Sequence, residues 1–316
     1  MGILSSIFGS KKTAEELQAE KNEKNFEILK YDGIRARNAR RMEYAIKCFE
    51  QALTLKKDND TYAFLASVYI TTGQLDKALS TLKSQIEMNP ENGNAYIAMA
   101  QTCFMQEDYT EMDKACQKVI KLMPEDERGY YMSGQANHRL GNDIQAIVML
   151  SKALTIKEDF AAAYQLRAET LTAMHQANQA MKDIDQLLGM NQDDEDALLL
   201  KAEIVMEQQE MEKAQEILEH IVAINPFNEK AYLQKANLLL STKKNDEALS
   251  FMDEAIELIE NSAALYQKRG EIKLMMGDKA GSVEDVKKAV ALSPEKMDEI
   301  NNKFNGTSSN APASIY

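Results

Sequence analysis

Apolar residues recur three and four positions apart along most of the chain, which is the spacing of an amphipathic α-helix. These apolar stretches are about 14 residues long and come in pairs. Gly73, Gly141 and Gly277 each lie between the two stretches of a pair, where a helix C-terminus favours a left-handed residue. The pattern therefore predicts an all-α chain of helical hairpins.

Small residues repeat with a period of 34. One series, preceded 33 residues earlier by Ala45, is Ala78, Met112, Ala146, Ala180, Ala214, Ala248 and Ser282. A second series lies twelve residues before each of these positions: Gly33, Ala66, Ala100, Gly134, Ala168, Ala202, Ala236 and Gly270. A small residue at a fixed phase marks a close approach of two helix backbones. Met112 and Ser282 depart from the pattern and predict locally looser packing.

Tyrosines and prolines keep the same period. A Tyr or Leu precedes each residue of the second series by four positions, and Pro90, Pro124, Pro226 and Pro294 share one phase. Together these phases resemble the tetratricopeptide repeat (TPR) family over residues 26–296. The resemblance implies a right-handed α-solenoid of about eight helix hairpins. The expected repeats are 26–58, 59–92, 93–126, 127–160, 161–194, 195–228, 229–262 and 263–296.

The ends of the chain do not follow the period. We expect residues 1–25 to form an apolar and charged lead-in segment, 297–305 to form a capping helix, and 306–316 to be a disordered tail. Met1–Ser6 fits the loose pattern for N-myristoylation. One alternative function is therefore a peripheral membrane organiser that uses the Gly2–Phe8 segment.

Charge narrows the class of partner. The chain of 316 residues has a formal net charge of −13. Residues 1–58 contain 12 basic and 9 acidic residues, a net charge of +3, which leaves −16 for the remainder. This balance argues against nucleic acid and favours a basic or apolar protein segment as partner. No apolar run approaches the roughly 18 residues of a membrane span, so membrane contact is expected only through the N-terminus.

Residues that could carry chemistry are sparse. The three cysteines, Cys48, Cys103 and Cys116, form no disulfide framework and favour a reducing, cytoplasmic location. The three histidines lie more than 30 residues apart, so no metal site is expected. A Gly-rich phosphate loop and a nucleophile elbow are both missing, which argues against an enzyme and against a bound cofactor. Two interpretations of Cys103 and Cys116 stay open: they form a redox pair, or they are two reduced residues of the core.

The resemblance implies a binding surface. In the TPR family the first helix of each hairpin lines a concave groove that holds a peptide or an amphipathic helix. The places concerned hold the candidate residues Phe64, Ile97, Gln101, Phe104, Tyr131, Met132, Gln135, His138, Leu166, Glu169, Leu199 and Met206. They also hold Ala98, Met105, Arg139, Gln165, Leu200 and Glu203. Many are apolar, and so much exposed apolar surface favours a non-enzymatic scaffold or adaptor.

Two functions other than groove binding are also considered for the array, a chaperone-tail clamp and a structural subunit. Chaperone-binding members of the family hold a carboxylate with a set of Lys, Asn and Arg residues, and no three-repeat window here completes that set. The chain could instead be a structural subunit of a larger assembly, with self-association possible. Two ion pairs, Arg167 with Asp183 and Arg269 with Asp285, are expected at the hairpin rims, partly exposed and worth about 0–1 kcal/mol.

Overall fold

The computed structural model describes residues 13–297 and Phe304. These residues form α-helices and one 3-10 helix, Pro294–Lys296, and contain no strand. The helices are α1 (Ala14–Asn38), α2 (Met42–Leu55), α3 (Asn59–Thr71), α4 (Leu75–Met88), α5 (Gly93–Met105), α6 (Tyr109–Leu122), α7 (Glu127–Arg139), α8 (Asp143–Ile156), α9 (Ala161–Ala173), α10 (Ala177–Met190), α11 (Glu195–Glu207), α12 (Met211–Ile224), α13 (Glu229–Ser241), α14 (Asn245–Leu258), α15 (Ala263–Met275) and α16 (Lys279–Leu292).

Odd-numbered helices, here called A helices, alternate with even-numbered B helices. From α3 onward each A helix has 13 residues and each B helix 14. The fold is an α-solenoid, as predicted. The chain divides into two compact units after Ala163, within α9, which we call the N-terminal unit and the C-terminal unit.

In the N-terminal unit, each helix from α1 to α7 packs against the next one in the chain. Ala45, Ala78 and Ala146 on the B helices are fully buried. A Cβ added to Gly134 of α7 would lie 2.7 Å from Cγ of Leu150 on α8. The helix backbones therefore approach as closely as the small-residue phases predict.

The C-terminal unit is built in the same way from the rest of α9 through α16. Ala180, Ala214 and Ala248 are fully buried on their B helices. Leu218 and Ile221 fill one core, and Met252 and other apolar residues of α13 to α15 fill the next. Each core lies between neighbouring helices of one short stretch of chain, so stability is built up locally.

Both departures from the small-residue rule are covered by neighbouring residues. Met112 of α6 is 1% exposed and Ser282 of α16 is 2% exposed. Exposure does not measure packing density, and Met112 also lines a cavity, so looser packing at these positions stays a prediction. A methionine fits in place of alanine because its unbranched side chain adapts to the space between α5 and α7.

A left-handed residue turns each A helix into its B helix. The predicted glycines Gly73, Gly141 and Gly277 have φ angles of 71°, 74° and 90°. The other turns use non-glycine residues in the same conformation: Arg40, Glu107, His175, Gln209 and Lys243. At the α7–α8 turn, Gly141 N–H donates to the His138 carbonyl and Asn142 N–H to the Asn137 carbonyl, which satisfies the end of α7.

Both predicted ion pairs form. Arg167 donates to both carboxylate oxygens of Asp183, at 2.7 and 2.6 Å, and Arg269 donates likewise to Asp285, at 2.9 and 2.6 Å. The two carboxylates are 4% exposed and the arginine side chains 20% and 17%, so the pairs are partly exposed, as expected, on the arginine side only. Arg269 also reaches Asp253 of α14 at 2.7 Å, so it joins two consecutive hairpins. Removing one partner from such a pair leaves a buried charge and costs several kcal/mol.

At the ends, part of the lead-in segment is helical. Thr13 and Glu16 form a capping box at the start of α1, whose length includes residues 14–25. The Gly2–Phe8 segment and the tail 306–316 lie outside the described residues, as does the capping helix 297–305 apart from Met297 and Phe304. In the described part of the chain, no helix has the length and apolarity needed to cross a bilayer.

The left-handed turns predict a matched pair of substitutions. Gly141→Ala should lower the free energy of unfolding by about 1–2 kcal/mol, because an alanine at a φ of 74° is strained even though the space around it is open. Gly189→Ala lies inside α10, also in open space, and should raise that free energy by up to about 1 kcal/mol. Urea unfolding followed by circular dichroism measures both changes. Equal effects of the two substitutions would contradict the assigned turn geometry.

Candidate functional site

A cavity of about 500 Å³ opens in the N-terminal unit between A helices α3, α5 and α7. Its lining consists of Ile70, Gln101, Phe104, Met105, Met112, Arg128, Tyr131, Met132, Gln135 and Phe160. Seven of the ten are apolar or aromatic. We call this cavity the apolar pocket.

Aromatic rings form a fixed wall of the apolar pocket. The Tyr131 and Phe160 rings lie 4.8 Å apart between centroids, and the Phe104 ring meets Tyr109 edge-on at 6.1 Å. The Tyr131 hydroxyl also accepts a hydrogen bond from Gln135 Nε2 at 3.2 Å. Rings held in this way lose little conformational entropy when a ligand packs on them.

Two methionines give the apolar pocket an adaptable part. Met112 is buried at its base and Met105 is 56% exposed at its mouth. Thioether side chains have several accessible rotamers and can follow the shape of a ligand. The pocket therefore combines a rigid aromatic wall with a deformable rim.

The positive charge of Arg128 at the rim of the apolar pocket is paired with a carboxylate of the same chain. Arg128 donates to Asp126 through Nε at 2.9 Å and through Nη2 at 2.6 Å. Hydrogen bonding to Arg128 lowers the pKa of Asp126, and the same bonds raise the pKa of Arg128, so the pair stays ionised together. The apolar pocket thus presents mainly apolar surface rather than a free positive charge.

Comparisons with known proteins agree with the helical-repeat fold. Models of the tetratricopeptide repeat match residues 127–160, 171–238 and 205–272, and the model for subunit 3 of the anaphase-promoting complex, or cyclosome, matches residues 38–119. Together the matches cover more than half of the chain. The chain belongs to the tetratricopeptide repeat family. TPR proteins are in general non-enzymatic scaffolds for protein interactions.

Individual relatives are more distant. Small glutamine-rich tetratricopeptide repeat-containing protein 2 of Mycosarcoma maydis is 28% identical over 102 residues, which is 32% of this chain and only 29% of that relative. A TPR protein from Parabacteroides merdae has a TM-score of 0.65 at 19% identity, over 77% of this chain and 96% of its own. YrrB, described as a TPR protein with an unusual peptide-binding site, has a TM-score of 0.52 at 21% identity, over 59% and 97%. At these identities the structural likeness shows the fold alone.

The apolar pocket brings together six of the residues predicted from the TPR pattern: Gln101, Phe104, Met105, Tyr131, Met132 and Gln135. Ile70 and Arg128 also line it and occupy groove places of their repeats, so the same rule could have found them. Phe160 lies in the connection before α9, outside those places, and Met112 occupies a B-helix position. No sequence signal marks these last two residues as part of a site.

Other predicted residues are used in packing or local pairs within the N-terminal unit. The Phe64 ring lies 5.8 Å from the Phe49 ring and 4.8 Å from the guanidinium of Arg37. His138 Nδ1 is 3.7 Å from a carboxylate oxygen of Asp143, across the α7–α8 turn. Neither residue lines the apolar pocket.

Ile97 and Leu199 are 5% exposed and belong to hydrophobic cores. Their placement on an open groove is therefore a correction: neighbouring helices already cover both side chains. In the C-terminal unit, Leu166 is half-buried and Glu169 accepts a hydrogen bond from Gln165 at 2.8 Å. Met206 lines a separate cavity of that unit, between α11 and α13.

The described residues offer no metal site, and their cysteines are buried. Among residues 13–297 and Phe304, no three His, Cys, Asp or Glu side chains are placed to hold a metal ion. Cys48, Cys103 and Cys116 are free and buried. Burial raises the pKa of Cys103 to about 11 and that of Cys116 to about 12. The geometry thus favours reduced core residues over a redox pair.

These raised pKa values predict slow thiol chemistry. At pH 8 only a small fraction of Cys103 and Cys116 is thiolate, and both sulfurs are covered. We expect Ellman's reagent to modify them about 100-fold or more slowly in the folded chain than in urea. Mass spectrometry of tryptic peptides assigns each modified thiol. Rapid labelling of both cysteines in the folded chain would favour the redox reading instead.

Proposed function

We propose that this TPR protein is a non-enzymatic cytoplasmic scaffold, and that its apolar pocket binds an apolar segment of a protein partner, as an extended peptide or an amphipathic helix. The observation that carries the proposal is the pocket itself, an open cavity with a largely apolar lining on the A helices. When a partner covers the apolar surface of such a cavity, that surface leaves water and the free energy of the system falls. The free cysteines agree with a reducing compartment.

The size and lining of the pocket suit one or two large side chains. A volume of about 500 Å³ is in the range of specific binding pockets. Tyr131 and Phe160 supply a preorganised contact surface, and buried aromatic contacts dominate the binding energy of many interfaces. The flexible side chain of Met105 at the mouth can pack against a bound side chain.

An acidic peptide tail is a poor candidate for the partner. Lys30, which could contribute to a carboxylate clamp, donates to Asp58 at 2.8 Å and lies 3.6 Å from Asp60. Hydrogen bonding to Lys30 and Thr61 keeps the pKa of Asp58 below its usual value despite the partial burial of that carboxylate. The strong negative charge beyond residue 58 also repels acidic segments. The supported partner is apolar or basic.

The other candidate functions lack a structural observation of their own. The Gly2–Phe8 segment on which the membrane organiser depends lies outside the described residues. A structural subunit would need a self-complementary face. The apolar pocket is a concave feature, which suits an inserted side chain better than a flat contact between copies.

A matched pair of methionine substitutions tests the scaffold. Met105 and Met275 are each the last residue of an A helix and are 56% and 64% exposed, but only Met105 lines the apolar pocket. Met105→Glu should weaken partner binding at least about tenfold, because an uncompensated carboxylate would be buried against the apolar segment. Met275→Glu should leave binding unchanged.

The measurement is quantitative affinity purification from the cell that produces the protein, followed by titration of the recovered partner. Circular dichroism controls for folding of both variants. If Met105→Glu retains every partner at the wild-type level while folded, the apolar pocket is not the binding site.

A further inference from the structure

The C-terminal unit contains a second cavity at equivalent places of its repeats. It has a volume of about 320 Å³ between α11 and α13 and is lined by Glu203, Met206, Glu207, Gln234 and Asn237. Each of these residues follows a residue of the apolar pocket by 102 positions, three periods of the repeat: Gln101, Phe104, Met105, Met132 and Gln135. The same backbone positions therefore form both cavities.

The chemistry of the second cavity is different. Phe104 and Met132 of the apolar pocket are replaced by Met206 and Gln234. Met105 at the mouth is replaced by Glu207. We call the second cavity the acidic pocket, since it pairs two carboxylates and two amides with a single apolar side chain.

In the described structure, Glu203 of the acidic pocket has no cationic partner and Glu207 has only a histidine. Glu203 and Glu207 lie one turn apart on α11, where like charges repel. Partial desolvation and the charge of Glu207 raise the pKa of Glu203. No cationic side chain of the described residues lies within 4.0 Å of the Glu203 carboxylate, and Glu207 is approached only by exposed His175, at 3.5 Å. This contrasts with Arg128 in the apolar pocket, which is fully paired.

A buried acceptor adds to the carboxylates. The side-chain oxygen of Gln234 is shielded from solvent and has no hydrogen-bond partner in the described structure. A buried polar atom without a partner costs free energy. Gln234 as a residue is only half-buried and lines the cavity, so a rotation of its amide would bring the oxygen within reach of a donor from a ligand. Beside it, the side chain of Met206 offers an apolar surface to an aliphatic chain.

We propose that the acidic pocket binds an arginine side chain of a partner segment. A guanidinium group supplies five N–H donors in one plane, enough for two carboxylates and an amide oxygen. Its methylene stem packs on Met206, as long cationic side chains commonly pack on apolar surface. This proposal adds to the scaffold function the side chain that the partner contributes. It rests on the scaffold function only for the source of that arginine. The net charge of −16 beyond residue 58 favours approach of a basic segment.

The test uses the full chain labelled with 13C at the methionine methyl groups, with the Met206 signal assigned by its loss in Met206→Leu. The probes are N-acetyl-arginine amide and its neutral isostere N-acetyl-citrulline amide. We expect the Met206 signal to shift saturably with the arginine probe, with a Kd on the order of 1 mM. The citrulline probe should leave it unmoved. No shift with arginine, or equal shifts with both probes, would overturn the proposal.

Matched variants locate the effect. Glu203→Gln with Glu207→Gln should weaken the arginine titration at least tenfold and should not lower the melting temperature, because the two carboxylates repel each other. Glu212→Gln with Glu216→Gln, an exposed pair of the same spacing on α12, should change neither quantity. An unchanged titration in the first variant contradicts recognition by these carboxylates. A clear loss of thermal stability in it would make them structural residues instead.

The titration is independent of the scaffold test. Met105→Glu should leave the arginine titration unchanged, because Met105 lies in the N-terminal unit and lines only the apolar pocket. The partner-binding experiment therefore tests the apolar pocket alone, and the arginine titration tests the acidic pocket alone.

Discussion

The fold depends on one constraint, the close approach of two helix backbones within each hairpin. Gly134 lies so near Leu150 that even a methyl group would clash, and Ala180 and Ala248 are fully buried at the corresponding contacts of other hairpins. Where this contact holds a glycine or an alanine it has no room for a larger side chain, and it then sets how the A helix lies on its B helix. Met112 and Ser282 are the exceptions at this phase. The A helices then pack side by side, and their remaining faces are free to vary.

The two pockets show what this variation achieves. Positions three repeats apart form an aromatic cavity in one unit and an acidic cavity in the other. The backbone supplies the concavity in both, while the side chains decide the chemistry. A repeat protein can in this way bind chemically different parts of a partner without changing its fold. The buried pair of Arg167 and Asp183, by contrast, satisfies its charges internally and contributes to the framework.

The 34-residue period was sufficient to predict the helices, the hairpin contacts and the glycine turns, since these depend on spacing and on residue size. It also places Glu107 and Gln209 at the phase of the turn glycines, but residue type alone gives no signal there, because neither side chain favours the left-handed conformation. Eight of the ten residues that line the apolar pocket were predictable from repeat phase. Phe160 was not, because it enters from a connection, and Leu199 was placed on the surface because periodicity gives a direction but not a depth of burial.

The proposed binding of a protein segment to the A-helix face at the apolar pocket can be tested by photo-crosslinking, with p-benzoylphenylalanine placed at Met105 in the pocket or at Met190, a comparably exposed methionine at the end of B helix α10. Crosslinking in extracts of the native cell, followed by mass spectrometry, identifies the residues reached. Position 105 should crosslink to one apolar segment of a defined partner, and position 190 should not. The same diffuse background from both positions would contradict the proposal.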